Sequence, residues 1–191
     1  KLNEVNETFN ELKRRHDDNE QKLIKHNRLE NETRYKIEML RNSIENNDGL
    51  PYAVKNILSN PKLSGIRGVI GSIIETDGKY ATAINVALGA ACNYVVVDDE
   101  YCAKAAINYL KINKFGRATF FPLNVIKGKH IDEETYRLLK GNPDFIDVAS
   151  NLVRYDDVYQ EIIKNQLGTT IVVKDIDVAN QIARKINYRY R

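Results

Sequence analysis

The first 46 residues contain neither glycine nor proline, and this absence constrains the fold more than any other feature of the chain. Twenty of them are charged, ten of each sign, and only 12 are hydrophobic. The apolar residues follow two interleaved rows at heptad spacing, which is the seam of a coiled coil. The predicted seam comprises Leu2, Val5, Phe9, Leu12, Leu23, Ile37, Leu40 and Ile44. Because so narrow a stripe would stay exposed on a lone helix, we expect a partner helix, with a long solvated helix as the alternative.

Residues 47–191 have the composition of a globular domain. They hold all 10 glycines and all 4 prolines, and 69 of these 145 residues are hydrophobic. The net charge of +3 also lies here, with 19 cations against 16 acids. No segment is apolar enough to predict a transmembrane helix. The two cysteines, Cys92 and Cys102, are too few for a disulfide framework, so we expect a reducing cytoplasm and a packing role for both.

One pattern occurs twice in the globular part, about 78 residues apart. It runs helix, Leu-Gly, strand, aspartate and helix, first around Gly89 and again around Gly168. The predicted helices span residues 80–88, 101–112, 159–167 and 177–187, and the predicted strands span residues 66–75, 93–98, 116–123 and 169–173.

We therefore predict an α/β fold of mixed α+β type with duplicated αβα subdomains. The subdomains are residues 47–140 and 141–191, and a coiled-coil helix over residues 1–46 precedes them. The second copy lacks the strand that would match residues 116–123 of the first. By this parallel we expect the second subdomain to be truncated at its C-terminal end.

No motif in the sequence predicts catalysis, a cofactor or a metal site. Gly65, Gly68 and Gly71 are spaced neither as a dinucleotide fingerprint nor as a P-loop, and they match the GXXG of a KH domain over only four residues. Neither cysteine has a histidine near it in sequence, and no pair of carboxylates has the context of an acid and a base. We predict a protein that is not an enzyme. The alternative, an α/β enzyme, would need a deep pocket with convergent polar groups.

Basic residues form two runs that contain no acid, residues 111–129 and 178–191. Because the runs fall at the same place in each copy of the pattern, they would form one electropositive patch suited to phosphates. The DNA-binding candidates are Lys111, Lys114, Arg117, Lys127, Lys129, Arg184, Lys185, Arg189 and Arg191. An ordinary solvated surface of lysine and arginine is the alternative. The nearby phenylalanines are expected in the core rather than stacked on bases.

Five ordered motifs carry a resemblance to a known family. They are GIRGVIGSII at residues 65–74, AINVALGA at 83–90, VVVD at 95–98, FGRATFFPL at 115–123 and ARKINYRYR at 183–191. Together they resemble the hinge domain of SMC (structural maintenance of chromosomes) proteins, the bacterial chromosome-condensing type in particular. The heptad segment is similar to the helix that this family places directly before its hinge.

The resemblance implies a hinge at the tip of a long antiparallel coiled coil whose far end is an ATPase head, so that only the full-length protein would bind ATP. Such hinges dimerise and bind DNA, often single strands, in chromosome condensation and segregation. The implied partners are a second copy, DNA and the returning coiled-coil helix, with no membrane. The implied location is the cytoplasm, at the nucleoid. By the same resemblance, the dimer-interface candidates are Arg117, Ala118, Thr119, Phe120 and Phe121.

The family pattern and this chain differ after Arg191. There the family has a further strand and a glycine-rich segment that form much of the dimer interface, followed by the returning helix. Whether this chain dimerises alone therefore stays open at this point. The main alternative function is a purely structural interaction module in which the basic runs are inert surface.

Overall fold

The computed structural model describes residues 1–45 and 48–191, which form two compact units, Lys1–Gly49 and Leu50–Arg191. In the first unit, helix α1 spans Leu2–Glu45 and has no buried residue. The helix end predicted at residue 46 and the subdomain start predicted at residue 47 lie outside the described residues. None of the described helices is long and apolar enough to span a membrane.

The predicted heptad seam lies on α1 and is exposed throughout. Its exposure ranges from 47% at Ile37 to 79% at Leu2. Salt bridges between residues four apart, such as that of Arg15 with Glu11, add support along the helix. The long N-terminal helix is thus confirmed, and its apolar seam is available to a partner helix.

The second unit alternates helices and short strands. Its helices are α2 (Tyr52–Leu58), α3 (Gly78–Leu88), α4 (Glu100–Asn113), α5 (Glu133–Lys140), α6 (Gln160–Leu167) and α7 (Ile176–Lys185). Its strands are β1 (Ile66–Val69), β2 (Glu75–Thr76), β3 (Val95–Val97), β4 (Phe120–Pro122), β5 (Phe145–Val148), β6 (Val153–Arg154) and β7 (Ile171–Val173). Short 3-10 helices lie at Ile70–Ser72, Gly89–Asn93, Ala149–Asn151 and Asp157–Tyr159. The predicted mixed α/β fold class is confirmed.

The same order of elements occurs twice, and we call the two sets repeat A (residues 52–122) and repeat B (residues 133–191). Each starts with a helix, α2 or α5, and continues with strand, 3-10 helix, short strand, helix, strand and helix. A second 3-10 helix differs in position, since Gly89–Asn93 follows α3 whereas Asp157–Tyr159 precedes α6. A β-bulge interrupts the first strand at the same place in each, between Ile66 and Gly68 in repeat A and between Phe145 and Asp147 in repeat B. The subdomain boundary predicted after residue 140 stays a prediction.

An aspartate begins the last helix of each repeat. Asp99 caps α4 by accepting the Cys102 backbone N–H at 2.8 Å, and Asp175 caps α7 by accepting the Val178 N–H at 2.9 Å. Each carboxylate satisfies a first-turn N–H that has no partner inside its helix. The aspartate of the repeated sequence pattern is therefore explained by helix capping.

The strands form small sheets that differ between the repeats. In repeat A, β3 lies between β1, which is antiparallel to it, and β4, which is parallel to it. In repeat B, β7 pairs with β5. The two equivalent short strands, β2 and β6, pair with each other in antiparallel fashion. Antiparallel pairing of equivalent strands is what a pseudo-twofold relation between the repeats produces.

Buried apolar side chains form one cluster between the repeats and one inside each repeat. The shared cluster includes Ile84 and Val96 of repeat A and Ile162, Ile163 and Leu167 of repeat B. The cluster inside repeat A has eight buried members, including residues of α2. The cluster inside repeat B has three, including one residue of α5. The shared cluster therefore joins the two repeats into one unit, and repeat B depends on it more.

The sequence predicts a single strand over residues 66–75, and this is wrong. After β1 the Ile70 N–H donates to the Tyr94 carbonyl at 3.0 Å, and the chain turns through a 3-10 helix before β2. This turn frees β2 to pair across to repeat B instead of continuing along β3. The sequence also makes no prediction for residues 133–154, which form α5, β5 and β6.

Candidate functional site

Strand β4 has one edge without a neighbouring strand among the described residues. On its other edge it runs parallel to β3, where the Val95 N–H donates to the Thr119 carbonyl at 2.9 Å. Because alternate residues of a parallel ladder face the same neighbour, the N–H and C=O of Phe120 and the C=O of Pro122 point away from β3. We call this open side, residues 119–122, the β4 edge.

The five predicted dimer-interface residues all lie on or beside β4. Arg117 and Thr119 are exposed, whereas Ala118 and Phe120 pack against the core of repeat A. Phe121 packs against the shared cluster and stacks on a tyrosine ring with the centroids 5.3 Å apart. The phenylalanines are core residues, as expected. What the β4 edge offers a partner is therefore backbone groups and the two exposed side chains.

Repeat B has an equivalent open edge on β7. Arg191 takes the place that Thr119 has in repeat A: the Ile171 N–H donates to the Arg191 carbonyl at 2.7 Å. The Arg191 N–H in turn donates to the Thr169 carbonyl at 3.2 Å. The C=O of Ile171 and both backbone groups of Val173 face the same side and have no strand beside them in the described part of the chain. We call this side the β7 edge.

A small apolar cavity of about 130 Å³ lies beside the β7 edge. It is lined by Ile171, Val173, Ala179, Ile182, Ala183, Ile186, Tyr190 and Arg191. In repeat A, Phe120 packs against the equivalent cluster, which contains Val95 and Val97. The cavity thus lies where an apolar side chain of a strand equivalent to β4 would pack.

Three predicted DNA-binding residues lie together at the end of α4. Lys111 is in the last turn of the helix, Lys114 is its C-cap with a φ of 56°, and Arg117 follows in the loop. All three are exposed and, within the described chain, none makes a salt bridge or a side-chain hydrogen bond. Cations at a helix C-terminus are favoured by the helix dipole, so this group is stable without an acidic partner.

Lys127 and Lys129 lie on the segment that joins the repeats, and this segment docks on α6. The Gly128 N–H donates to the Glu161 carboxylate at 2.8 Å, and the Lys129 N–H donates to the Lys164 carbonyl at 3.3 Å. Docking brings the two predicted lysines close to Lys164, which the sequence analysis does not single out. It also places the Glu161 carboxylate beside them, so an acid lies next to this basic group in the folded structure although none lies within it in the sequence.

Two of the predicted cations in the second run already have partners. The Arg189 guanidinium lies 3.1 Å from the Asp132 carboxylate, and the Arg191 guanidinium donates to the Val86 carbonyl at 3.1 Å. Hydrogen bonds, the largest effect coming from the Tyr190 hydroxyl, and the charge of Arg189 hold the pKa of Asp132 well below its usual range. Both arginines therefore have a structural role near the end of the chain.

Arg184 and Lys185, on α7, are the other cations of the second run. Both are exposed and make no salt bridge with the described residues. Lys185 lines a groove that also contains Asp132 and Glu134 at the start of α5. The second run contains no acid in sequence, but the packing of α5 on α7 places acids next to it.

The two cysteines have no catalytic setting. Burial raises the pKa of Cys92, and a hydrogen bond with Asp99 together with burial raises the pKa of Cys102. A raised pKa keeps a thiol protonated and unreactive near neutral pH. Both side chains are partly buried against the core clusters, which agrees with the packing role predicted for them.

One group of potential metal ligands lies within the described residues. His16, Asp17 and Glu20 are neighbours on α1, and all three are exposed. Acidic groups of this kind are common on helix surfaces without a metal, and no buried ligand accompanies them. The group gives no reason to propose a metal centre.

The comparisons with known proteins agree with one another. The family model of the SMC flexible hinge domain matches residues 63–183. The chain is 39% identical over 184 residues, 96% of its length, to the chromosome partition protein Smc of Bacillus subtilis. It spans only 16% of the length of that relative.

Two solved structures are also similar to this chain. A crystal structure of an asymmetric dimer of the Geobacillus stearothermophilus SMC hinge domain matches with a TM-score of 0.79 and 40% identity, covering 84% of this chain and 66% of that one. The Pyrococcus furiosus Smc hinge domain with an extended coiled coil matches with a TM-score of 0.59 and 33% identity, covering 82% and 52%.

Proposed function

The chain belongs to the family of SMC flexible hinge domains, and from this membership we propose that it joins two copies of a chromosome partition protein. The ATPase of this family lies in head domains and not in the hinge, so the domain is not itself an enzyme. ATP binding would belong to the full-length protein, and the site of action would be the chromosome in the cytoplasm.

The observation that carries this proposal is the open β4 edge of repeat A. In a twofold dimer a strand of each copy would pair with the β4 edge of the other, because the axis repeats every contact. Unpaired backbone N–H and C=O groups on an edge are a template for strand pairing between chains. The SMC hinge domain of Geobacillus stearothermophilus is an asymmetric dimer, which supports dimerisation of this domain as well.

Thr119→Lys tests the proposed interface. Thr119 is exposed at the start of the β4 edge, so a lysine there would leave the fold intact but set a charge against the incoming strand. We expect the dissociation constant of the dimer to rise at least about tenfold, measured by sedimentation velocity. Thr82→Lys on α3 adds the same charge at another exposed position and serves as the control. Equal affinities for the two variants would overturn the proposed role of the β4 edge.

We further propose that the hinge contacts DNA through the cations that have no partner in the described structure. These are Lys111, Lys114, Arg117, Lys127, Lys129, Arg184 and Lys185. Unpaired cations are free to displace counterions from phosphates, which is the source of salt-dependent DNA affinity. Arg189 and Arg191 are less suited to this role because their guanidinium groups already have partners.

A structural module without DNA binding is the second candidate function. It is favoured by the acids that lie next to two of the basic groups, Glu161 beside the linker lysines and Glu134 beside Lys185. The group at the end of α4 has no such neighbour among its described contacts. DNA binding, if present, is therefore expected to depend most on Lys111, Lys114 and Arg117.

Charge reversal distinguishes these two functions. Lys111→Glu with Lys114→Glu should weaken binding of a labelled oligonucleotide. It should also reduce the salt slope by about 0.9 for each duplex phosphate that is no longer neutralised, or by about 0.7 for each phosphate of a single strand. Lys62→Glu, at an exposed loop position, is the matched control. If wild-type chain does not bind oligonucleotide at low salt, the structural module is the correct function.

The exposed seam of α1 is proposed to pair with the returning coiled-coil helix of the same protein. The apolar rows at heptad spacing support this, as does the extended coiled coil attached to the Pyrococcus furiosus hinge. Adding a peptide of the returning helix should raise the helical content of the chain beyond the sum of the parts, measured by circular dichroism. An additive spectrum would count against this pairing.

A further inference from the structure

The turn after α7 has two residues other than glycine in the left-handed region, whereas its counterpart in repeat A has one. Asn187 and Tyr188 have φ angles of 52° and 54°. In repeat A the corresponding turn has Lys114 at a φ of 56° and Gly116 at 93°, where a glycine carries no steric penalty. A side chain as large as that of Tyr188 is disfavoured in this conformation, so other contacts must hold the turn in place.

The side chain that follows this turn is held by the N-cap residue of α5. The Tyr190 hydroxyl donates to the Asp132 carboxylate at 2.6 Å and accepts the Asp132 backbone N–H at 3.1 Å. The Arg189 guanidinium donates to the same carboxylate at 3.1 Å. Asp132 also caps α5 by accepting the Thr135 N–H at 2.9 Å, so its position is fixed independently of residues 189–191, which we call the tail of repeat B. We call Asp132, Arg189 and Tyr190 the Asp132 clamp.

The Asp132 clamp acts at the point where the tail meets β7. The Tyr190 ring lines the apolar cavity beside β7, and its hydroxyl binds the Asp132 carboxylate. The Arg191 carbonyl then accepts the Ile171 N–H, and its guanidinium reaches the Val86 carbonyl of α3. Without the clamp, Arg191 would follow a strained turn and would be held against β7 only by its own hydrogen bonds.

We propose that Asp132 is a positioning residue that holds the tail of repeat B against β7. Its charge-assisted hydrogen bonds offset the strain that Tyr188 adds to the turn. Any effect of this positioning on dimerisation rests on the proposed function. The positioning of the tail does not, because it concerns contacts inside one chain.

Amide hydrogen exchange of Ile171 tests the clamp directly, since its N–H donates to Arg191 only while the tail is docked. Tyr190→Phe keeps the ring in the cavity but removes the hydroxyl, and we expect Ile171 to exchange at least about tenfold faster. Val95, whose N–H makes the equivalent bond in repeat A, should keep its rate. Tyr188→Phe alters an exposed hydroxyl that has no partner in the described structure and is the matched control.

Asp132→Asn provides a second variant, because asparagine also caps helices well. We expect protection of the Thr135 amide to persist while that of Ile171 falls. An unchanged Ile171 rate in both variants would overturn the clamp. Equal acceleration of Ile171 and Val95 would also overturn it, because the effect would then be global unfolding.

Sedimentation of the same variants separates the clamp from its role in dimerisation. If Tyr190→Phe accelerates Ile171 exchange and weakens the dimer, the segment that the clamp holds contributes to the interface. If exchange rises but the dissociation constant does not, the role at the interface is wrong and the positioning role stands. A monomeric wild-type chain would refute the proposed function, and exchange would still decide the clamp.

Discussion

Repeats A and B share the order of their main helices and strands, the bulge in their first strand and the aspartate cap of their last helix, but the turns after their last helices differ. In repeat A the left-handed residues of this turn are Lys114 and Gly116, and β4 follows. In repeat B they are Asn187 and Tyr188, and contacts to α5 and α3 hold the residues that follow. A glycine thus relieves part of the turn in repeat A, whereas tertiary contacts hold the turn in repeat B.

The two repeats also differ in the size of the buried apolar cluster inside each of them. The cluster inside repeat A has eight buried members, and that inside repeat B has three. Each repeat contributes six buried residues to the shared cluster, so this cluster makes up a larger part of the buried core of repeat B than of repeat A. Two repeats with the same order of main elements can therefore differ in how much of their core is internal and how much is shared.

The largest expected effect comes from truncating the shared cluster. Ile163→Ala should lower the free energy of unfolding by about 2–5 kcal/mol, because it removes buried surface and leaves a cavity. If repeat B depends on repeat A as described, the globular unit should still unfold in one transition, followed by circular dichroism and by tyrosine fluorescence. Separate transitions by the two probes would show that the repeats fold independently.

The two glycines of the repeated Leu-Gly pair give the next largest effect, for different reasons. A methyl group at Gly168 would overlap the carbonyl oxygens of Lys129 and Lys164, whereas one at Gly89 would meet nothing within 4 Å. Gly168→Ala should therefore cost about 1–3 kcal/mol through overpacking and should expose the amides of the linker to exchange.

Gly89→Ala is the matched comparison for Gly168→Ala. Its cost should come from the backbone alone, since Gly89 has a φ of 51°, and the linker amides should stay protected. Equal loss of linker protection in both variants would contradict the close approach at Gly168. The measurement is amide exchange of Gly128 and Lys129.

Acidic pH should weaken repeat B through Asp132. The folded-state pKa of this carboxylate is lowered, so its contribution is complete above the unfolded pKa of about 3.9 and is lost as pH falls toward the folded value. Asp132→Asn should be less stable than wild type at pH 7, and the gap should narrow as the pH falls below about 4. The groups facing it are Arg189, Tyr190 and Thr135, with Glu134 and Lys185 in the same groove.

Denaturant midpoints of wild type and Asp132→Asn between acidic and neutral pH provide this measurement. The pKa of Asp99 is also lowered, because its carboxylate accepts the Cys102 backbone N–H. The titration of Asp99 contributes to both curves and cancels when one curve is subtracted from the other. A constant gap across the range would show that the Asp132 charge does not stabilise the fold.

The smallest expected effect lies in the strained turn itself. Tyr188→Gly should raise the free energy of unfolding by at most about 1 kcal/mol, because relief of the left-handed strain is partly offset by the greater freedom of glycine in the unfolded chain. Tyr188 is 71% exposed, so the substitution removes little packing. Thermal unfolding would measure it, and a clear destabilisation would show that the Tyr188 side chain has a contact role.

Features set by neighbouring residues are the ones that the sequence could predict. The long helix follows from the absence of glycine and proline, and the caps at Asp99 and Asp175 follow from an aspartate between a strand and a helix. The interruption after β1 could not be predicted, because it depends on a bond from Ile70 to Tyr94 and on pairing of β2 with the distant β6.

The interaction surfaces depended more on tertiary contacts. The basic runs are visible in sequence, but Asp132 and Tyr190 are 58 residues apart, and Gly128 and Glu161 are 33 residues apart. The acids that lie next to these basic runs in the fold therefore cannot be found by reading a short stretch of the sequence. The apolar nature of Phe120 and Phe121 pointed correctly to the core, whereas the open β4 edge required the sheet order.

The most direct test of the central claim, that the chain is a dimerisation hinge with an open edge on β4, is its mass in solution. Sedimentation equilibrium over a range of micromolar concentrations should give a species of twice 21.9 kDa that dissociates on dilution. A mass of 21.9 kDa at every concentration would contradict the claim.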